Sequence, residues 1–364
     1  MTDVLLPLFP NGPIVAGTSR ELFVFKKHGH PFFFLPCEND SAIHGLSLYP
    51  AQRPVARFAG ELLRWALRAR LTLFIGKTSV TISTENPFVR FLISLSGENE
   101  IPQFAVLAGN PNALGRRFIL LVFDAAENPV AVVKVGCGSE AIRLIQQEEN
   151  FLASAKQKRG IPELRATFQN DSMRAFSLDF VEGDSPAGNE TDGLAKILHG
   201  WIDPARFITA EDVRAWIRLK EKCASHPLFQ TLRQKLSVAQ FRPVISHGDF
   251  APWNIKISKN GSWIALDWER GELVGFSTWD WFHYYIQNWI LVDRLNARQL
   301  AGKIDELLNS DSLLRYAQET QTTPVLRELL LAYLLYSAEV IRPAEGLQTT
   351  RELLNVLSEK WQLV

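Results

Sequence analysis

The stretch "ISHGDFAPWNIKI", Ile245 to Ile257, is followed at Leu266 by "LDWE", and together these decide the reading of the chain. Apolar residues bound both segments, yet a His-Gly-Asp, a proline and an asparagine interrupt the first. The second, within "GSWIALDWE", runs as an apolar strand that ends on Asp267. Polar residues that serve no packing need, held on loops between apolar runs, are where binding and chemistry concentrate. Asp249 and Asn254 share one short loop, separated only by "FAPW". An amide oxygen at Asn254 and a carboxylate at Asp267 form the sparse oxygen set that Mg²⁺ accepts when phosphates and water complete it. Asp249 then remains to accept a hydrogen bond from an attacking hydroxyl. His247, just before it, reads as a brace for the loop, since buried polar rings are normally hydrogen-bonded.

Upstream, "FAVLAG", "RRFILLVFD" and "VAVVKVG" read as three successive antiparallel strands, punctuated by "NPNALG" and "AAENP". Lys134 is the one charge in the run Val130 to Val135. A lysine in such a strand calls for an anionic partner. The helix-patterned "SEAIRLIQQEENFLASAKQ" supplies one at Glu148, whose helical neighbours Leu144, Ile145, Phe151 and Leu152 are apolar. Glu149 has Gln146 and Ala153 among its neighbours and is the weaker choice. "ELRATFQ" and "RAFSLDFVEGDSP" add two more strands. Beyond Gly183 the pattern is mainly helical, with a capping signature of Thr209 and Asp212 opening "TAEDVRAWIRLKEKCASH". The expected class is therefore α+β, a small antiparallel sheet followed by a larger helical body.

The order of strand lysine, helix glutamate, "HGDFAPWN" and "LDWE" resembles the aminoglycoside phosphotransferase and choline kinase family, small-molecule relatives of the protein kinases. The resemblance covers roughly residues 103 to 340. It implies a bilobal protein-kinase-like fold, with a nucleotide-binding N-lobe at 103–183, a helical C-lobe at 184–364 holding the catalytic loop, and an extension of unclear fold at 1–102. It further implies ATP and Mg²⁺, and transfer of a phosphoryl group to a small-molecule hydroxyl. By the same resemblance Asp249 orients and deprotonates the acceptor, Asn254 and Asp267 hold Mg²⁺, and Lys134, positioned by Glu148, contacts the α- and β-phosphates. Backbone amides from Gly109 to Gly115 cover the phosphates, adenine meets the backbone near Phe180 to Glu182, and Asp280 matches a later structural aspartate. The chain departs from the family in its glycine loop and in carrying Ser277 where a proline is usual. A non-catalytic kinase-like nucleotide-binding module is the alternative, although none of Lys134, Asp249, Asn254 and Asp267 is missing.

Composition sets outer limits. The 364 residues suffice for two domains, and equal totals of 39 basic and 39 acidic residues argue against a dedicated nucleic-acid binder. Three scattered cysteines form neither a disulfide framework nor a metal cluster, which fits a reducing cytoplasm. The seven histidines are too dispersed for a metal-dependent hydrolase built on His247, Asp249 and Asp267. "LRELLLAYLLYSAEVI" is too short and too charged to span a bilayer and reads as a core helix. "RPVARFAGELLRWALRARLTLF" is a basic amphipathic helix, with Arg57, Arg64 and Arg68 near one face. Two readings of it stand: a solvated arginine face on a packed helix, or contact with a membrane surface or protein partner. Trp268, Trp279, Trp281 and Trp289 read as helix core or as an aromatic cage for a quaternary amine.

Overall fold

The computed structural model describes residues 4–10, 17–27, 29–49, 54–109, 116–188 and 190–362, except the side chains of residues 39 and 54–57. The chain divides into two compact units, Met1–Ala153 with Pro162–Val181, and Ser154–Ile161 with Glu182–Val364.

The first unit is built on one antiparallel sheet. Its elements in chain order are β1 (Gly17–Lys27), β2 (His30–Pro36), α1 (Asn39–Gly45), α2 (Pro54–Arg68), β3 (Lys77–Ser83), α3 (Pro87–Ser96), β4 (Phe104–Ala108), β5 (Arg116–Phe123), β6 (Pro129–Cys137), α4 (Ser139–Ser154), β7 (Leu164–Gln169) and β8 (Met173–Asp179). The strand order is β3-β1-β2-β4-β5-β6-β8-β7. The three strands read at 104–137 are present in the expected sequence, with Ile119 opposite Lys134 and Lys134 opposite Phe176. The sheet is larger than expected. Strands β1 to β3 come from the stretch set apart as 1–102, and the Phe33–Leu107 and Phe34–Val106 pairs join them to β4. A boundary at 102 therefore does not divide the described structure.

Both faces of this sheet are apolar, so both bury side chains. On β6, Ala131, Val133 and Val135 enter a core with Phe34, Phe88, Phe104 and Leu120. Val132 lies on the other side, against a second core of Phe33, Leu35, Leu121 and Phe123. Period-two alternation puts Lys134 on that second side. Helix α3 covers the first core with Phe88, Val89, Leu92 and Leu95. Its ends follow the usual capping chemistry: Asn86 Oδ1 accepts from the Phe88 amide at 2.9 Å, Pro87 opens the first turn, and Gly97 closes the last at φ 76°.

Helix α2 stops earlier than its apolar pattern suggested, at Arg68 rather than near Phe74. Arg70 takes the left-handed conformation, φ 57°. Leu71 N donates to Ala66 O at 2.9 Å and Arg70 N to Leu67 O at 3.0 Å. That bond pair is the Schellman stop, with an arginine where glycine is usual.

The second unit contains β9 (Gly183–Asp184), α5 (Asp192–His199), α6 (Arg214–Cys223), α7 (Pro227–Leu236), β10 (Val244–Ser246), β11 (Ile255–Ser258), β12 (Trp263–Ala265), β13 (Glu272–Gly275), α8 (Trp279–Leu291), α9 (Ala297–Leu308), α10 (Asp311–Glu319), α11 (Leu326–Tyr336) and α12 (Leu347–Lys360). The strands form two small sheets, β12-β11-β9 and β10-β13. Helix α11 buries Leu326 and Glu328 through Leu335, as a core helix should. No described helix is long and apolar enough to cross a membrane. The Thr209–Asp212 signature does operate, with the Thr209 amide donating to Asp212 Oδ2 at 2.8 Å. It closes a 3₁₀ turn, Ala210–Asp212, and α6 starts only at Arg214.

Candidate active site

Strand β10 delivers the chain to His247, which is wholly buried. The His247 amide donates to Asp280 Oδ2 at 2.7 Å and the Gly248 amide to Asp280 Oδ1 at 3.1 Å. The Asp249 amide donates to His247 Nδ1 at 3.2 Å, so the ring proton sits on Nε2, 2.8 Å from Leu266 O. This pattern needs a neutral imidazole. Burial lowers the His247 pKa accordingly, against the opposing pull of Asp280 and Asp249. Trp268 lies against the ring, centroids 4.4 Å apart, and donates its own Nε1–H to Ala265 O at 2.8 Å. Gly248 has φ 74°, and a Cβ there would stand 2.9 Å from Arg270 O, so this turn admits only glycine. Asp280, at the start of α8, is also buried; burial raises its pKa despite two N–H donors and the nearby His247. His247 and Asp280 thus hold the loop from beneath.

Asp249 stands on that base with both carboxylate oxygens engaged. Asn254 Nδ2 donates to Asp249 O at 2.9 Å and to Oδ2 at 3.2 Å. His283 Nε2 lies 3.1 Å from Oδ1, and Arg270 Nη1 lies 3.9 Å from the same oxygen. Burial acts to raise this carboxyl's pKa, but the His283 hydrogen bond, with the charges of His283 and Arg270, holds it well below the usual carboxylate range. His283 Nδ1 is in turn 3.1 Å from the buried Tyr333 hydroxyl. Neither His283, Tyr333 nor Arg270 was singled out from the sequence. The available signal was spacing: His283 follows Asp280 by three residues on one helix, which puts both on one side of α8.

The short turn Pro252–Asn254 leads into β11, whose hairpin with β12 pairs Ile255 with Ala265. Leu266 N donates to Asn254 O at 2.7 Å, so Asn254 and Asp267 belong to the same end of that hairpin. Asp267 has φ 68°, an uncommon conformation for a non-glycine residue and one that clusters at functional sites. The donor side of the Asn254 amide is committed to Asp249, which leaves its oxygen as the atom a cation would take. One amide oxygen and one carboxylate suit Mg²⁺. Among the described residues no three His, Cys, Asp or Glu side chains gather as a metal-holding group, as a transition-metal site would require. Glu269, two residues beyond Asp267 in the chain, is half-buried.

In the first unit, Lys134 Nζ lies 2.6 Å from Glu148 Oε1, with Glu148 almost fully buried. Glu149 pairs elsewhere, with Arg174 Nε at 2.9 Å. Gly109 donates its amide to Arg117 O at 2.8 Å, and a Cβ there would meet that same oxygen at 2.8 Å. Gly115 lies outside the described residues, as does the Arg57 side chain. Phe180 packs partly into the second core of its unit. Glu182 opens the other unit, exposed, with its carboxylate 2.8 Å from Lys259 Nζ. Trp268, Trp279 and Trp281 are buried and Trp289 is half-buried, so these rings serve packing.

No family model matches the chain, and no curated protein does. Solved structures do resemble it. A thermostable mutant of aminoglycoside phosphotransferase APH(4)-Ia, in its apo form, is 14% identical, with a TM-score of 0.47 over 75% of this chain and 99% of that one. A putative fructosamine-3-kinase from Haemophilus somnus is 12% identical, TM-score 0.42, over 74% and 96%. An ethanolamine kinase from Plasmodium vivax is 10% identical, TM-score 0.42, over 71% and 83%. These neighbours all have the protein-kinase-like fold. Likeness at this distance assigns no activity and no residue role to the chain.

Proposed function

We propose that the chain is an ATP-dependent phosphotransferase that moves the γ-phosphoryl group of ATP to a hydroxyl of a small molecule. The observation that carries this reading is the fixing of Asp249 by His283 at one oxygen and Asn254 at the other, with Asp267 at the same hairpin end as Asn254. A carboxylate clamped at both oxygens, ionised at neutral pH, suits the orientation of an acceptor hydroxyl. Phosphoryl transfer asks for that, because its loose transition state needs in-line positioning and charge neutralisation more than covalent help.

Asp249 accepts the hydrogen bond of the acceptor hydroxyl and takes its proton as the bond to phosphorus forms. Asn254 Oδ1 and Asp267 hold Mg²⁺, which supplies neutralisation of the phosphate charge. Lys134 presents its ammonium to the α- and β-phosphates, with Glu148 fixing its position. The backbone near Phe180 to Glu182 meets adenine. Sugars, amino alcohols and aminoglycosides are the acceptor classes to try first.

ADP release measured over a panel of those acceptors tests the reading. Asp249→Asn keeps the shape of the side chain and removes the base, so turnover with the active acceptor falls on the order of 10²- to 10⁴-fold. Unchanged turnover in that variant removes the role given to Asp249.

A further inference from the structure

Six of the twelve large apolar side chains that stand exposed among the described residues fall between 58 and 74: Phe58, Leu62, Trp65, Leu71, Leu73 and Phe74. Scattered singly they would need no explanation; gathered on one helix and its following turn they do. Helix α2 is apolar on two sides. Leu63 and Leu67 turn inward to the second core of the first unit. Phe58, Leu62 and Trp65, at i, i+4 and i+7, turn outward from it. The turn that follows is anchored rather than loose: the Schellman bonds close α2, Ile75 N donates to Thr72 O at 3.0 Å, and Val24 N donates to Gly76 O at 2.8 Å. Between those anchors Leu73 is 93% exposed and Phe74 99%.

The charges within this stretch are mostly positive. Within 58–74 the only acidic residue is Glu61, which pairs with Arg64. Arg68 and Arg70 remain, in a chain whose total charge is zero. We propose that this face of the first unit is a docking surface for an anionic lipid bilayer. In that arrangement Leu73 and Phe74 enter the acyl boundary, Trp65 sits at headgroup level, and Arg68 and Arg70 meet lipid phosphates. Charge complementarity decides for lipid, because a second copy of this surface would set arginine against arginine. None of the residues assigned to phosphotransfer lies in it.

The test is co-sedimentation of the full chain with two kinds of vesicle, one of phosphatidylcholine alone and one of equal parts phosphatidylcholine and phosphatidylglycerol. Binding is expected to be on the order of tenfold stronger to the anionic vesicles and to weaken with added salt. The double substitutions Leu73→Ser with Phe74→Ser, and Arg68→Gln with Arg70→Gln, each change exposed side chains only. Each should lower binding on the order of tenfold or more, with circular dichroism unchanged. No binding to the anionic vesicles, equal binding to both kinds, or binding that survives both double substitutions overturns the proposal. So does a dimer in lipid-free solution that Leu73→Ser with Phe74→Ser abolishes while vesicle binding is absent; that result gives the face to a second copy.

Discussion

His283 Nε2 lies 3.1 Å from Asp249 Oδ1, and behind it His283 Nδ1 lies 3.1 Å from the Tyr333 hydroxyl. The imidazole is therefore fixed at both nitrogens and fixes one edge of the carboxylate in turn. His283→Leu releases that edge while leaving Asn254 on the other. Misplacement of a reacting group by about 1 Å costs on the order of 100-fold in rate. The expected outcome is a fall in kcat on the order of 10- to 100-fold with KM for ATP little changed, read from steady-state ADP release. A loss confined to KM for ATP would separate His283 from the acceptor side.

Lys134 and Glu148 form an ion pair with Glu148 almost fully buried, and removing one member takes this counter-charge from the other. Such changes cost about 3–5 kcal/mol. Lys134→Met should accordingly lower the urea midpoint more than Lys134→Met combined with Glu148→Leu, in which the buried carboxylate is removed as well. The single and double variants give opposite ranks if Glu148 is held mainly by other groups.

His247 carries a pH prediction. Its folded pKa lies below the ordinary 6.5, mainly through burial, so the unfolded chain takes the proton first as pH falls. The stability it contributes is complete above pH 6.5 and is lost as pH descends from there through the folded value. Asp280 works in the opposite sense: its raised pKa lets stability decline as pH rises above 3.8. His247→Gln removes the ring and keeps the backbone amide that donates to Asp280. Unfolding measured at pH 7.5 and pH 5.5, values about one unit either side of an unperturbed histidine, should show a smaller pH effect in the variant. An equal effect in both proteins would place the sensitivity elsewhere.

How much of this was legible in the sequence differs by region. The strands at 104–137 and the choice of Glu148 over Glu149 could be read because each rests on local pattern: alternation along β6 and the apolar neighbours of one helical position. The bracing of the loop by His247 was legible for the same reason, since a histidine locked between apolar segments must find partners. Strands β1 and β2 carry the short strand-like runs "ELFVFKK" and "PFFFLP", but β3, "KTSVTIS", was not legible, nor was the membership of all three in the main sheet. That membership depends on Phe33–Leu107 and Phe34–Val106 pairing across about seventy residues, for which no local pattern exists. The stop of α2 at Arg68 was hidden because arginine holds the left-handed position where glycine would have announced it. His283 was hidden by its setting, a single histidine in an aromatic helix, and only the packing of α8 beside the loop brings it to Asp249. For the tryptophans the core reading was the favoured one, and the burial of Trp268, Trp279 and Trp281 agrees with it.

If Asn254 and Asp267 hold the Mg²⁺ of a bound nucleotide, calorimetric titration of ATP with and without Mg²⁺ will read the metal through them. Asp267→Gly removes the carboxylate and suits the left-handed backbone at φ 68°, so the turn persists. The expected result is ATP binding to the wild type that strengthens with Mg²⁺, and binding to Asp267→Gly that no longer responds to the metal. Absence of binding at millimolar ATP with Mg²⁺, or the same metal response in both proteins, would contradict it.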